Sequence, residues 1–109
     1  MPIRVSSLAK SMSDAAREVL DESWPDVKEY ARSEFKKIAE SIAMIARLRA
    51  AGKISAKKAR LHLDIQKNAS RMVLLTVEGL GILTVERAIN AALGVVRDTV
   101  NTAVGFALL

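Results

Sequence analysis

The chain has 109 residues, no cysteine, and 17 Lys and Arg against 12 Asp and Glu, which gives a formal net charge of +5. This length predicts a single domain, residues 1–109. Because there is no cysteine, a disulfide framework, a thiolate metal site and a thiol nucleophile are excluded. The same absence is typical of a reducing compartment, so we expect a cytoplasmic protein.

Hydropathy predicts no transmembrane span. The last third of the chain is apolar, but any window of about 20 residues after Met72 contains at least two charged residues, which are costly near the centre of a bilayer. These charges are Glu78, Glu86, Arg87, Arg97 and Asp98. The first residues lack a continuous apolar region and a small-residue cleavage site, so we interpret them as mature protein rather than a signal peptide.

Helix is the only regular structure that the residue pattern favours. The chain has two prolines and five glycines, and no segment alternates between apolar and polar residues as a strand would. The first helix is predicted to be short, over residues 7–20. Its apolar face carries Leu8, Met12, Ala16 and Val19.

The second predicted helix begins near Ser23 and ends at Gly52. Ser23 is a suitable N-cap, Pro25 lies in the first turn, where a missing N–H is harmless, and Asp26 occupies the capping-box position. Gly52 supplies the left-handed residue that helix C-termini favour. Apolar residues recur at spacings of three and four, as in a helix packed along its whole length: Trp24, Val27, Ala31, Phe35, Ile38, Ile42, Ile45 and Leu48.

The third predicted helix begins at Ser55, a good N-cap. Only Lys53 and Ile54 separate this cap from Gly52, so the second and third helices are predicted to form an antiparallel hairpin that turns at Gly52.

The segment Gly79-Leu80-Gly81 leaves two alternatives for the helices that follow Ser55. Residues 55–108 form either one continuous helix or two helices separated by a break or sharp kink, with Thr84 as the cap of the second. Two glycines this close cost about 2 kcal/mol relative to alanine in a continuous helix. The polar faces before and after the glycines also fail to align, so we favour the break.

These elements predict an all-α fold: a bundle of three long helices, over residues 24–51, 55–79 and 82–108, with a short N-terminal helix covering one end or side. Long helices of similar length can each bury one stripe of side chains along the whole bundle.

The last helix is unusually apolar. Between Ile82 and Leu109, 17 of 28 residues are Ala, Val, Ile, Leu or Phe, and only four are charged. A helix that is apolar nearly all round is either central in a core or covered by other chains. We therefore expect a homo-oligomer, although a central helix within a monomer remains the alternative. The predicted contact residues are Val95, Val96, Val100, Val104, Phe106, Leu108 and Leu109.

A basic stretch surrounds the hairpin tip, where residues 47–71 hold eight Lys or Arg and only one acid, Asp64. It is either a solvated face or a surface that contacts anions, meaning nucleic-acid phosphates or an anionic membrane surface. Because no aromatic residue lies in this stretch, stacking on single strands is not expected. The candidate contact residues are Arg47, Arg49, Lys53, Lys57, Lys58, Arg60, Lys67 and Arg71.

Catalytic and metal-binding motifs are missing. A ferritin-like metal bundle needs Glu-x-x-His pairs, but the only histidine, His62, follows Ala59 at that spacing. Its basic neighbours predict a surface position. We expect no catalytic residue, no metal and no cofactor, and therefore not an enzyme.

Two functional hypotheses follow from the residue pattern. The first is a structural or scaffolding subunit that self-assembles through its apolar last helix. The second is an anion-binding module that uses the basic hairpin tip.

Overall fold

The computed structural model describes residues 3–109, and the all-α prediction is confirmed for that part of the chain, which holds no strand. Met1 and Pro2, which belong to the predicted domain 1–109, lie outside the described residues. The helices are α1 (Val5–Leu20), α2 (Trp24–Ala50), α3 (Ala56–Leu75) and α4 (Ile82–Val104).

Contacts at the helix ends establish an up-down-up-down bundle. Near the start of α3, Arg60 donates from Nε to the carbonyl oxygen of Ala107, just beyond α4. Near the end of α3, Arg71 pairs with Glu86 in the second turn of α4. Helices α3 and α4 are therefore antiparallel. Each helix packs against the two that flank it, α2 also contacts α4 across the ring, and α1 does not contact α3.

The N-terminal helix is a full member of the bundle, so the predicted detail of three long helices with a short helix covering one end or side is not matched exactly. It has 16 residues against 20 in α3, and the two most extensive helix pairings of the structure are those of α1 with α4 and with α2. Leu8, Met12, Ala16 and Leu20 enter the core. A stripe with a spacing of four lets even a helix of four turns pack along its whole length.

The hairpin between α2 and α3 forms as predicted. Gly52 has φ 67°, the N–H of Lys53 donates to the carbonyl of Leu48 at 2.8 Å, and the N–H of Gly52 donates to the carbonyl of Arg49 at 3.0 Å. These two bonds define a Schellman motif, in which glycine supplies the left-handed residue. Ser55 Oγ then accepts a hydrogen bond from the backbone N–H of Lys58 at 3.1 Å and caps α3.

The break between α3 and α4 is present, but it is longer than predicted, because α3 already ends at Leu75 and α4 begins at Ile82. Thr84, the expected cap, lies inside the first turn of α4, and the N-cap position is Gly81. Ser23 makes no capping hydrogen bond either. It ends the 3₁₀ turn Asp21–Ser23, which joins α1 to α2, so its backbone is already in the helical region.

Helix α4 buries most of its apolar side chains against α1, α2 and α3. It is thus largely enclosed by its own chain. The buried residues of α4 are Val85, Ala88, Ile89, Ala92, Leu93, Val96, Val100 and Val104. None of the helices within residues 3–109 combines the length and the apolarity that a bilayer crossing requires.

Candidate interaction surfaces

Four of the predicted anion-contact residues form an exposed basic tip around the α2–α3 connection. Arg47 lies in the last turn of α2, Lys53 lies in the connection, and Lys57 and Lys58 lie in the first turn of α3. All four side chains are exposed, and none takes part in an ion pair within residues 3–109. These cations therefore remain available to an external anion. We call them the basic tip.

Two other predicted residues, Arg49 and Arg60, serve an internal contact. Their guanidinium carbons lie 4.8 Å and 5.2 Å from the centre of the Phe106 ring. Arg49 Nη1 also donates to the carbonyl of Ile54 at 3.1 Å, and Arg60 Nε donates to the carbonyl of Ala107 at 3.2 Å. Both arginines thus hold the segment after α4 against the hairpin.

The last two predicted residues lie further along α3. Arg71 is 13 residues beyond Lys58, which corresponds to about 20 Å of helix, and it pairs with Glu86. Lys67 lines a small groove between α3 and α4, together with Asp64 and Arg97. The eight predicted residues therefore do not form one patch.

A second basic surface, which sequence reasoning missed, lies between α1 and α2. An open groove of about 1030 Å³ is lined there by five cationic side chains and one acid, Asp14, which pairs with Lys10 at 3.0 Å. The cations are Arg4, Lys10, Arg17, Arg32 and Lys36. Their helical spacing was a usable signal, because residues four or seven apart share a face. We call this surface the α1–α2 basic groove.

Trp24 lies below two of these arginines. The guanidinium carbons of Arg17 and Arg32 are each 5.8 Å from the centre of its ring, and the ring itself is buried. A cation over an indole face is attracted by the quadrupole of the ring. The only tryptophan of the chain therefore contacts the edge of the α1–α2 basic groove.

The seven residues predicted for self-association divide by exposure. Val96, Val100, Val104 and Leu108 are buried within their own chain. Phe106 and Leu109 are half-buried, and Val95 is 58% exposed. Self-association through the last helix stays a prediction, but only the three residues that keep exposed surface are accessible to a partner in this conformation.

Large apolar side chains are also exposed elsewhere. Three of them lie on α3, namely Leu61, Ile65 and Met72. The others outside the predicted set are Tyr30, Ile82 and Leu83. Leu61, Ile65 and Met72 do not enter the core. The buried side chains of this helix are instead Ala59, Leu63, Ser70 and Leu74.

His62 is half-buried rather than fully at the surface, and its Nδ1 is enclosed and forms no hydrogen bond within the described residues. In the same part of the chain, no three His, Asp or Glu side chains lie close enough together to hold a metal ion. No protein-family model, no curated protein and no solved structure matches the chain.

Proposed function

We propose that the protein is a non-enzymatic structural or scaffolding subunit that associates with copies of itself. The observation that carries this proposal is the exposure of three large apolar side chains, Leu61, Ile65 and Met72, along one helix. Single exposed apolar residues are normal on a protein surface, whereas several on one face mark an interaction site. A partner that covered them would remove this apolar area from water.

The native mass as a function of concentration tests this function. Sedimentation equilibrium from about 10 µM to about 1 mM covers the range of weak to moderate association. If the subunit self-associates, its measured mass rises above the 11.8 kDa of one chain as concentration increases. A constant mass of one chain over the whole range would contradict the proposal.

Self-association through the last helix, α4, is tested by a separate variant. Val95→Asp places a charge on an exposed position of α4 and leaves the core intact, because Val95 is 58% exposed. If α4 forms the interface, this change dissociates the assembly. Substitutions at Val96 or Val100 are unsuitable, since both side chains are buried and a carboxylate there would unfold the chain.

A second candidate function is anion binding, which the two basic surfaces favour. The basic tip presents four exposed cations that form no ion pair with any described residue, and the α1–α2 basic groove adds five cations around one acid. Nucleic-acid backbone and anionic lipid headgroups both offer phosphates to such surfaces, and binding to either weakens with salt. Duplex DNA and vesicles that contain anionic lipid are the two probes.

Charge reversal at each surface locates the contact. Lys57→Glu with Lys58→Glu alters the tip, and Arg32→Glu with Lys36→Glu alters the groove. Arg60 stays unchanged, because it holds Phe106 and Ala107. Binding at the groove also changes the fluorescence of Trp24, since Arg17 and Arg32 lie over its ring. Binding that neither double variant weakens would contradict this second candidate.

A further inference from the structure

The outer face of α3 carries an apolar stripe that none of the helices within residues 3–109 covers. At 100° per residue, Leu61, Ile65 and Met72 project within about 40° of one another, and this direction is roughly 170° from the buried side of the helix. Their side chains are 61%, 64% and 67% exposed. Helix α3 is therefore apolar on two opposite faces, and only one of them meets the core.

The outer stripe has the spacing of a coiled-coil seam. Six residues follow one another at intervals of 3, 4, 3, 4 and 3: Lys58, Leu61, Ile65, Asn68, Met72 and Leu75. This is the alternation of the a and d positions of a heptad, at which one helix packs against another. Four of the six residues are apolar, and of these only Leu75 is half-buried, where it packs against the core. Asn68 sits in the middle of the seam, where a polar residue sets the register of a pair.

We propose that a second copy of this chain covers this face, with the two α3 helices packed antiparallel about a twofold axis near residues 66 and 67. The inference rests on the self-association proposed above and names its surface and its geometry. A twofold interface uses the same patch on both copies. We define the α3 seam as the six residues above. Each copy contributes this seam, so the two sides of the interface are identical.

Charge complementarity selects the antiparallel orientation. Leu61 of one copy then lies opposite Met72 of the other, and Ile65 lies opposite Asn68. The flanking Asp64 lies near Arg71 of the second copy, twice by symmetry. Arg71 also contacts Glu86 and Asn68 of its own chain, so Asp64 adds a second carboxylate beside a guanidinium that is already held in place. A parallel pair would instead place Lys58 beside its own counterpart, with Lys57 close by. Like charges at this distance repel, and opposite charges flanking a seam determine the orientation of the pair.

The seam offers only a small apolar area to a second copy. Three partly exposed apolar side chains per copy cover less than the roughly 800 Å² per partner of a standard interface. The association therefore belongs to the small, transient class, and we expect half of the chains to be dimeric only at tens to hundreds of micromolar, an order of magnitude typical of weak complexes.

Sedimentation equilibrium of two matched variants tests the surface. Ile65→Lys places a charge in the middle of the seam, and Val95→Lys makes the same change at an exposed apolar position of α4. Both positions are exposed, so both variants keep their helical content and their melting temperature, which circular dichroism checks. We expect the mass of the wild type and of Val95→Lys to approach twice 11.8 kDa at the highest concentration. Ile65→Lys stays at the mass of one chain.

The outcomes separate this inference from the proposed function. If the wild type stays at the mass of one chain, both fail. If Ile65→Lys associates as well as the wild type does, the α3 seam is overturned, while self-association through another surface survives. If Val95→Lys alone dissociates, the interface lies on α4 and the seam is again overturned.

Cysteine cross-linking tests the orientation, because the chain has no cysteine of its own. In the antiparallel pair, residue 61 lies opposite residue 72, and the two copies of residue 61 are about 16 Å apart along the helix axis. Cα atoms more than about 7 Å apart cannot be bridged. We expect a mixture of Leu61→Cys and Met72→Cys to form a mixed disulfide under mild oxidation, and Leu61→Cys alone to remain reduced. Efficient cross-linking of Leu61→Cys with itself would overturn the antiparallel pair.

Discussion

Asn101 holds Leu108 in place through its side-chain amide. Its Oδ1 accepts a hydrogen bond from the backbone N–H of Leu108 and another from that of Leu109, both at 2.9 Å, and its Nδ2 donates to the carbonyl of Leu109 at 3.3 Å. One side chain on α4 thereby satisfies three backbone groups of the segment that follows the helix. Leu108 is folded back into the core as a result.

Asn101→Ala should therefore lower the stability of the whole bundle. The change leaves the backbone N–H of Leu109 without its acceptor, whereas that of Leu108 keeps the carbonyl of Phe106 at 2.9 Å. It also loosens Leu108, so we expect a loss of about 1–3 kcal/mol in the free energy of unfolding. Urea denaturation followed by circular dichroism measures it. Asn90→Ala is the matched control, because Asn90 is exposed on the same helix, and its effect should stay within about 0.5 kcal/mol. Equal effects of the two variants would show that the amide does not hold the segment.

This contact could not be predicted from the sequence, whereas several local features could. The cap at Ser55, the turn at Gly52 and the break near Gly79 were predictable, because each depends on the backbone preferences of a few adjacent residues. Asn101 looked like part of a solvated face. Its partners lie beyond the end of the helix, and no periodicity within α4 indicates that the chain folds back there.

The packing partners of each helix could not be predicted from the sequence either. The pattern of α4 shows that it needs cover on several sides, but not whether α1 or another copy supplies it. The spacing of the cations was visible on each helix, but the sequence could not show that Arg17 and Arg32, which come from different helices, line one α1–α2 basic groove. On α3, the apolar pattern could not show which of its members enter the core.

Adjacent valines on α4 should respond very differently to the same charge. Val96 is almost fully buried and Val95 is 58% exposed. Val96→Asp buries a carboxylate without a partner, so we expect the chain to lose its cooperative thermal transition, or at least about 3 kcal/mol of stability. Val95→Asp should change stability by no more than about 0.5 kcal/mol. Differential scanning calorimetry of both proteins at low concentration decides this. Similar melting temperatures would mean that Val96 faces solvent.

Arg49 and Arg47, two arginines of the hairpin, should differ in their contribution to stability. Arg49 contacts the Phe106 ring and donates to the carbonyl of Ile54, whereas Arg47, two residues earlier, is exposed and makes neither contact. We expect Arg49→Ala to cost about 1–2 kcal/mol through the lost cation–π contact and hydrogen bond. Arg47→Ala should stay within about 0.5 kcal/mol. Thermal melts of the two variants give the comparison, and a larger loss for Arg47→Ala would contradict the assignment.

Two glycines should respond to alanine in opposite directions. Neither Gly52 nor Gly94 has a neighbour within 4 Å of the position that a Cβ would take, so sterics with other residues are equal. Gly52 has φ 67°, and an alanine there is held in the left-handed region at a cost of about 1–2 kcal/mol. Gly94 lies inside α4 and on its exposed side. Alanine there restricts the unfolded chain and favours helix, which stabilises by about 0.4–1 kcal/mol. Urea denaturation of both variants measures the two signs. A destabilised Gly94→Ala would mean that a partner approaches α4 closely at that point, as the small residues of the last helix would allow in an assembly.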